Sequence, residues 1–206
     1  MTKGYNRIAG IYDSLAQLVF GKAMIQSQTV FLDRLQDTKS LLVLGGGTGW
    51  WLNDLMEMNP HLKITFVDSS SEMIRIAKTK LNLKYQVDFV CGTSESVQVN
   101  DKFDGVILYY FADLFSEEEL SVIIQQLIQR MNNASIWLVT DFANKKGWHS
   151  GMLKIMYAFF GFTTGQKSNR LPDWQNQLEK AGLIKMEQRT FYGKFMESVL
   201  YRLTKA

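Results

Sequence analysis

The sequence predicts an α/β fold in which a mainly parallel, twisted sheet is flanked by helices. Three observations carry this expectation. Apolar runs of strand length alternate along the chain with segments of helical spacing, a pattern that calls for crossover connections and so for parallel strands. The first such run, Leu41 to Leu44, breaks into four glycines within five residues (Gly45, Gly46, Gly47, Gly49) and is followed by a helix. The alternation ends in two strand-like runs around Tyr192-Gly193, the signature of a hairpin.

Taken in order, Tyr5 to Phe20 places Ile8, Ile11, Tyr12, Leu15, Leu18 and Val19 at helical spacing, and Gly21 interrupts it. Ala23 to Leu35 continues as a second amphipathic helix, and Asp37-Thr38-Lys39 leads into the first strand. After the glycines, Trp50 to Met58 reads as a helix that stops at Asn59-Pro60, because the residue before a proline avoids helical backbone. Leu62 to Val67 is a second strand ending in Asp68. Ser69-Ser70-Ser71-Glu72 offers N-caps and early negative charge to the helix carrying Met73, Ile74, Ala77 and Leu81. Tyr85 to Cys91 is a third strand, followed by Gly92-Thr93-Ser94-Glu95, and Phe103 to Tyr109 is a fourth. Ser116 and Glu119 have capping-box spacing and open a helix to Met131. Asn132-Asn133-Ala134 turns into a fifth strand, Ser135 to Val139, which ends at Thr140-Asp141-Phe142. Within the long segment Ala143 to Leu171, Gly151 to Phe160 is an apolar helix. Pro172 suits the first turn of a further helix closed by Ala181-Gly182, and Leu183 to Phe191 and Lys194 to Leu203 form the last two strands. With no repeat, low-complexity tract or domain-sized linker, the expectation is one domain over 1–206.

Composition narrows the function. A net charge of +3 without a block of like charge gives little support to a nucleic-acid or membrane-surface partner. The lone Cys91, in an apolar run, is expected to be a buried structural thiol. No stretch approaches a membrane span and the first residues lack an apolar leader core, so a cytoplasmic protein without integral membrane contact is expected. Two isolated histidines and one cysteine make no metal-ligand spacing, so no metal is expected.

In such sheets ligands bind beyond the carboxyl ends of the strands, where strand order reverses. That selects the loops Gly45 to Trp50, Asp68 to Ser70, Gly92 to Glu95, Tyr109 to Asp113, and Asp141 onward. Strand, glycine turn and helix N-terminus together make a nucleotide-binding corner, and Asp68 stands about twenty residues on, where a carboxylate can accept from ribose hydroxyls. A dinucleotide corner requires a third glycine where Trp50 stands, and here the spacing is Gly45-x-Gly47-x-Gly49. That spacing weighs against NAD.

Val43-Leu44-Gly45-Gly46-Gly47-Thr48-Gly49 resembles the first motif of class I S-adenosylmethionine-dependent methyltransferases. Asp68-Ser69-Ser70-Ser71-Glu72-Met73 is similar to the second, Phe89 to Glu95 to the third, and Lys102 to Ile107 to the fourth. Tyr5 to Asp13 resembles the entry helix of the quinone-biosynthesis and related small-molecule members. The resemblance covers residues 5 to about 141. It implies a Rossmann-like, seven-stranded, mainly parallel sheet with an antiparallel C-terminal hairpin and helices on both faces. It also implies that Gly45, Gly46, Gly47 and Gly49 lie under the methionine and ribose of S-adenosyl-L-methionine. Asp68 would hold the ribose hydroxyls, Ser69 and Met73 would meet the adenine, Thr93 and Ser94 would edge it, and Tyr109 would sit beside the sulfonium. Two positions depart from the family. Val43 stands where an acid helps to hold the cofactor's ammonium, and Thr93 where an acid meets the adenine amino group. Backbone carbonyls at Gly45 and Tyr109, or the hydroxyls of Tyr5 and Tyr12, could take over part of these contacts.

Methyl transfer from a sulfonium needs alignment and exclusion of water more than an elaborate catalytic apparatus. His149 is the one histidine at the pocket end of the sheet and is the candidate general base, although a loop histidine without chemistry fits it too. His61 belongs to the opposite end. Of the neighbours Tyr109 and Tyr110, one is expected to face the cleft, and Tyr110 is the second candidate catalytic residue beside His149; Phe111 is a candidate for core packing, and Asp113 reads as a local cap. The N-terminal helices (1–36) and the segment 143–171 are expected to cover the substrate, which makes a small apolar or aromatic acceptor the preferred one. A lipid-soluble quinone precursor is one such acceptor. Homodimerisation stays open. Two other functions stay open as well, a non-catalytic S-adenosylmethionine-binding protein and an NAD-dependent oxidoreductase. A nucleic-acid methyltransferase would need a basic patch with aromatics or an Asn/Asp-Pro-Pro-Tyr type motif, and neither Pro60 nor Pro172 fits one.

Overall fold

The computed structural model describes residues 2–97, 101–145, 147–164 and 170–204; the side chains of 2–5, 7, 8, 12, 162 and 164 lie outside that description. Seven strands, β1 (Ser40–Leu44), β2 (Lys63–Asp68), β3 (Asp88–Cys91), β4 (Phe103–Tyr109), β5 (Met131–Phe142), β6 (Leu183–Phe191) and β7 (Met196–Leu203), form one sheet. Their order is β3-β2-β1-β4-β5-β7-β6. The pairs from β3 to β5 are parallel, and β7 runs antiparallel between β5 and β6. The order therefore reverses between β1 and β4, and the loops leaving the carboxyl ends of those two strands flank the switch point.

The sheet is buried on both faces, which is why its central strands read as unbroken apolar runs. Side chains alternate along a strand. Leu41 and Val43 of β1 enter one core with Leu52 and Leu55 of α3 (Leu52–Met58) and Ala77 of α4 (Ser71–Lys80). Leu42 and Leu44 enter the other, with Leu120, Ile124 and Leu127 of α5 (Glu117–Arg130) and Trp174 and Leu178 of α7 (Trp174–Lys180). A third cluster joins α1 (Thr2–Phe20), α2 (Lys22–Thr29) and α6 (Gly147–Thr164) to the sheet end through Phe20, Met24, Leu153, Met156, Phe142 and Phe195. That cluster seats the three helices at the carboxyl end of the sheet.

Several elements differ from expectation. The helix expected over 23–35 ends at Thr29, and Leu32–Leu35 is a separate 3-10 turn entered through Phe31 at φ −123°. β3 is shorter than expected because it is an edge strand with four register partners on β2, Thr65 to Asp68. The Cys91 thiol is a correction: it is exposed, not buried, since it ends that edge strand. β5 begins earlier, at Met131, and its pairing with β4 slips between Phe103 and Gly105, where Ala134 adopts φ 61°. The apolar helix α6 is longer than its apolar run, starting at Gly147. Among the described residues no helix is long and apolar enough to cross a membrane.

Candidate active site

The glycine loop owes its shape to two separate constraints. Gly45, Gly47 and Gly49 sit at φ +66°, +59° and +58°, a region that side chains with a Cβ disfavour. Gly46 is not left-handed; its constraint is steric, since a Cβ there would lie 2.1 Å from the ring of fully buried Phe66. Gly45 and Gly46 donate their N–H groups to Val67 O at 2.9 and 3.2 Å, which ties the loop to the end of β2.

Asp68 completes the corner. Its Oδ2 accepts from Gly47 N–H and its Oδ1 from Ser70 N–H, both at 2.8 Å. Burial raises its pKa above the usual carboxylate value, and the two N–H donors act in the opposite direction. A Cβ on Gly47 would meet nothing within 4 Å, so this face of the loop is open beside the carboxylate. An open glycine face next to an oriented acceptor fits a ribose-bearing cofactor.

The other residues that the sequence places at the cofactor are positioned as follows. Ser69 is half-buried, and Met73 is buried in the first turn of α4, where its N–H donates to the N-cap Ser70 Oγ. Thr93 is exposed and Ser94 half-buried, and Thr93 with Ser96 forms a reciprocal cap on the short turn 94–96. Tyr109 is buried edge-on against Trp51 at 5.4 Å, and burial pushes its phenol pKa up. Val43 is fully buried in the same cluster as Trp51 and Tyr109, so the position where an acid was expected is part of the apolar core. The side chains of Tyr5 and Tyr12 lie outside the described residues.

Two α1 side chains reach this end of the sheet without having been anticipated. Thr48 Oγ1 donates to both oxygens of Asp13 at 2.8 Å, and Lys80 Nζ lies 2.5 Å from the same carboxylate. Asn6 Oδ1 accepts from Ser70 Oγ at 2.6 Å and from Glu72 N–H at 3.3 Å. From α2, Gln28 Oε1 accepts from the Trp50 indole at 2.9 Å. The single sequence signal was polar residues interrupting apolar helix faces.

The candidates for proton transfer stand apart from the glycine loop. His149 is fully buried between Trp148 and Phe195, with ring centroids at 4.3 and 5.2 Å, and its Nδ1 accepts from Lys145 N–H at 3.0 Å. His61 is exposed at the other end of the sheet. Tyr110 adopts φ 51°, which breaks the alternation expected of the Tyr109-Tyr110 pair, and its hydroxyl lies 2.6 Å from Ser27 Oγ and 3.1 Å from Met196 Sδ. Phe111 packs against Gly45, as core. Asp113 and Asp141 are both buried at the carboxyl ends of β4 and β5. Asp141 accepts from the N–H groups of Ala112 and Phe142 at 2.8 and 2.7 Å, and burial still pushes its pKa up to about 7. Burial and the Asp141 charge raise that of Asp113, and Tyr157 of α6 feels both carboxylates.

A family model described as a methyltransferase domain matches residues 41–133. The malonyl-[acyl-carrier protein] O-methyltransferase of Bacillus anthracis is 30% identical over 148 residues, which span 70% of this chain and 53% of that protein. The demethylmenaquinone methyltransferase of Thermotoga maritima is 31% identical over 116 residues, 55% of this chain and 49% of its own. The chain thus spans about half the length of these curated relatives. Human N-acetylserotonin methyltransferase in complex with SAM superposes with a TM-score of 0.70 at 18% identity, over 98% of this chain and 58% of that one. The glycine corner lies within the matched methyltransferase domain, and the sheet order is that of the class I methyltransferase fold.

Proposed function

We propose that the protein transfers a methyl group from S-adenosyl-L-methionine to a small apolar or aromatic acceptor. The observation that carries this is the Asp68 carboxylate, fixed by Gly47 N–H and Ser70 N–H beside the open face of the glycine loop. When bound, the cofactor supplies an electrophilic methyl carbon on a sulfonium. The chain's own residues bind and align. Asp68 accepts the ribose hydroxyls, and Gly45, Gly46, Gly47 and Gly49 leave room for the main chain to approach. Ser69 and Met73 meet one side of the adenine and Thr93 and Ser94 its edge, while Tyr109 borders the methionine end. The helices α1 and α6 cover the acceptor side, which excludes water and holds the nucleophile in line. In this account His149 anchors the start of α6 and Tyr110 anchors the β4 loop to α2, and neither moves a proton.

Incubation with methyl-labelled cofactor and a panel of quinone-like and aromatic acceptors tests this, with a malonyl carrier protein as the competing acceptor. Label in an apolar small molecule is the expected result. Label confined to the carrier protein would overturn the acceptor class. A second reading, cofactor binding without transfer, draws on Val43 standing in the apolar core where an acid was expected. Tight cofactor binding with no turnover on any acceptor would favour it.

A further inference from the structure

We propose that the outer face of α1 and α6 binds the surface of an anionic lipid bilayer. Thirteen large apolar side chains are exposed among the described residues, and eight of them lie on α1, α2, α6 and the turn at Tyr192. On α6, Trp148, Ile155 and Phe159 fall on one stripe, with exposed Gly151 and Ala158 between them. The helix carries one charged side chain, Lys154, on the same side. On α1, Ile11, Leu18 and Val19 are exposed, Leu18 by 82%. The two sets meet at Tyr192, whose hydroxyl donates to Val19 O at 3.0 Å and whose ring lies 6.0 Å from that of Trp148. A contiguous apolar patch of this kind on a protein surface marks an interaction site.

Charge selects the occupant. In sequence, residues 1–31 and 143–172 contain eight basic residues and one acidic one, Asp13, which is paired with Lys80; among the described side chains Lys22, Lys145, Lys154 and Arg170 are exposed, and Lys145 is itself paired with Glu197. The whole chain is only +3, so the rest is net acidic. The two segments are far apart in sequence, and α1 and α6 pack against each other. Aromatic and aliphatic side chains on one face with Lys154 beside them suit the bilayer interface, and an exposed face without acidic side chains among the described residues of α1 and α6 suits anionic headgroups. A second copy would bring like charge against like. The inner sides of the same helices meet the glycine loop through Asp13 and the buried carboxyl pair through Tyr157, so the bilayer would stand at the mouth of the site.

Co-sedimentation of the full chain with vesicles tests this without cofactor or turnover, so it stands or falls separately from methyl transfer. We expect partition onto phosphatidylcholine vesicles containing phosphatidylglycerol, little onto phosphatidylcholine alone, and release by high salt. Ile155→Asp and Leu18→Asp, both at exposed positions, should abolish partition while leaving the thermal midpoint unchanged, and Lys154→Gln should weaken it about fivefold. No partition onto anionic vesicles would overturn the proposal. So would partition that Ile155→Asp leaves intact in a folded protein, or self-association through this face in its place.

Discussion

The glycine loop and the α1–α6 cover meet at the same end of the sheet but are held differently. Around Gly45 to Gly49 the main chain itself is constrained, by three left-handed residues, by N–H groups donated to Val67 O and Asp68, and by the Phe66 ring under Gly46. α1 and α2 meet the loops beneath them through side chains, Asp13 to Thr48, Asn6 to Ser70 and Gln28 to Trp50, beside the apolar cluster of Phe20, Met24 and Phe142. Constraints of the first kind belong to the cooperative core; those of the second can open locally at lower free energy.

Gly46→Ala should have the largest effect. Its Cβ would fall 2.1 Å from fully buried Phe66, so overpacking of about 1–3 kcal/mol is expected. Calorimetric unfolding checks this, and adding Phe66→Leu should restore part of the loss. An unchanged midpoint would show the loop to be looser than the approach of Phe66 to Gly46 implies.

The buried carboxyl pair tests the region between loop and cover. Folded Asp113 and Asp141 have raised pKa values, Asp141 to about 7, so their contribution to stability is full below the unfolded aspartate value of about 3.9 and is lost as pH rises through 7. The wild-type melting temperature should therefore fall between pH 5 and pH 8. Asp113→Asn should flatten that fall by a few degrees, at roughly 2–4 °C per kcal/mol. Parallel pH profiles for the two proteins would count against the pair.

Asp13→Asn should act on the cover alone. The bonds it weakens are partly exposed, so about 1 kcal/mol or less is expected, together with faster hydrogen exchange in α1 and unchanged exchange in β1. Equal acceleration in β1 would mean that the two regions open together. Smallest of all, Cys91→Ser should change stability by less than about 0.5 kcal/mol, while the native thiol reacts readily with a maleimide.

The same division explains what could be read from the sequence. β1, its glycines and Asp68 are local patterns, in which neighbouring residues dictate the backbone, and each could be placed from the chain alone, whereas the run Ser69 to Ser71 offered several N-caps of which the structure uses Ser70. The contacts of Asp13 and Asn6 span 35 and 64 residues, and no local spacing announces them. His149 lies at the pocket end of the chain trace, yet its burial depends on Phe195 from the final hairpin, which sequence position does not reveal. Exposure of Cys91 follows from β3 being the sheet edge, a property of strand order rather than of the residues near it. The packing of α1 on α6, elements far apart in sequence, is likewise set by the fold and not by local spacing.

Titration calorimetry of S-adenosyl-L-methionine into the wild-type chain and into Asp68→Asn tests the cofactor corner most directly. The wild type should bind with one-to-one stoichiometry and ignore NAD. Asp68→Asn should bind about tenfold to a hundredfold more weakly, the loss expected when charged hydrogen bonds to the ribose are removed. Equal affinity in a folded Asp68→Asn protein, or no binding by the wild type, would contradict the assignment.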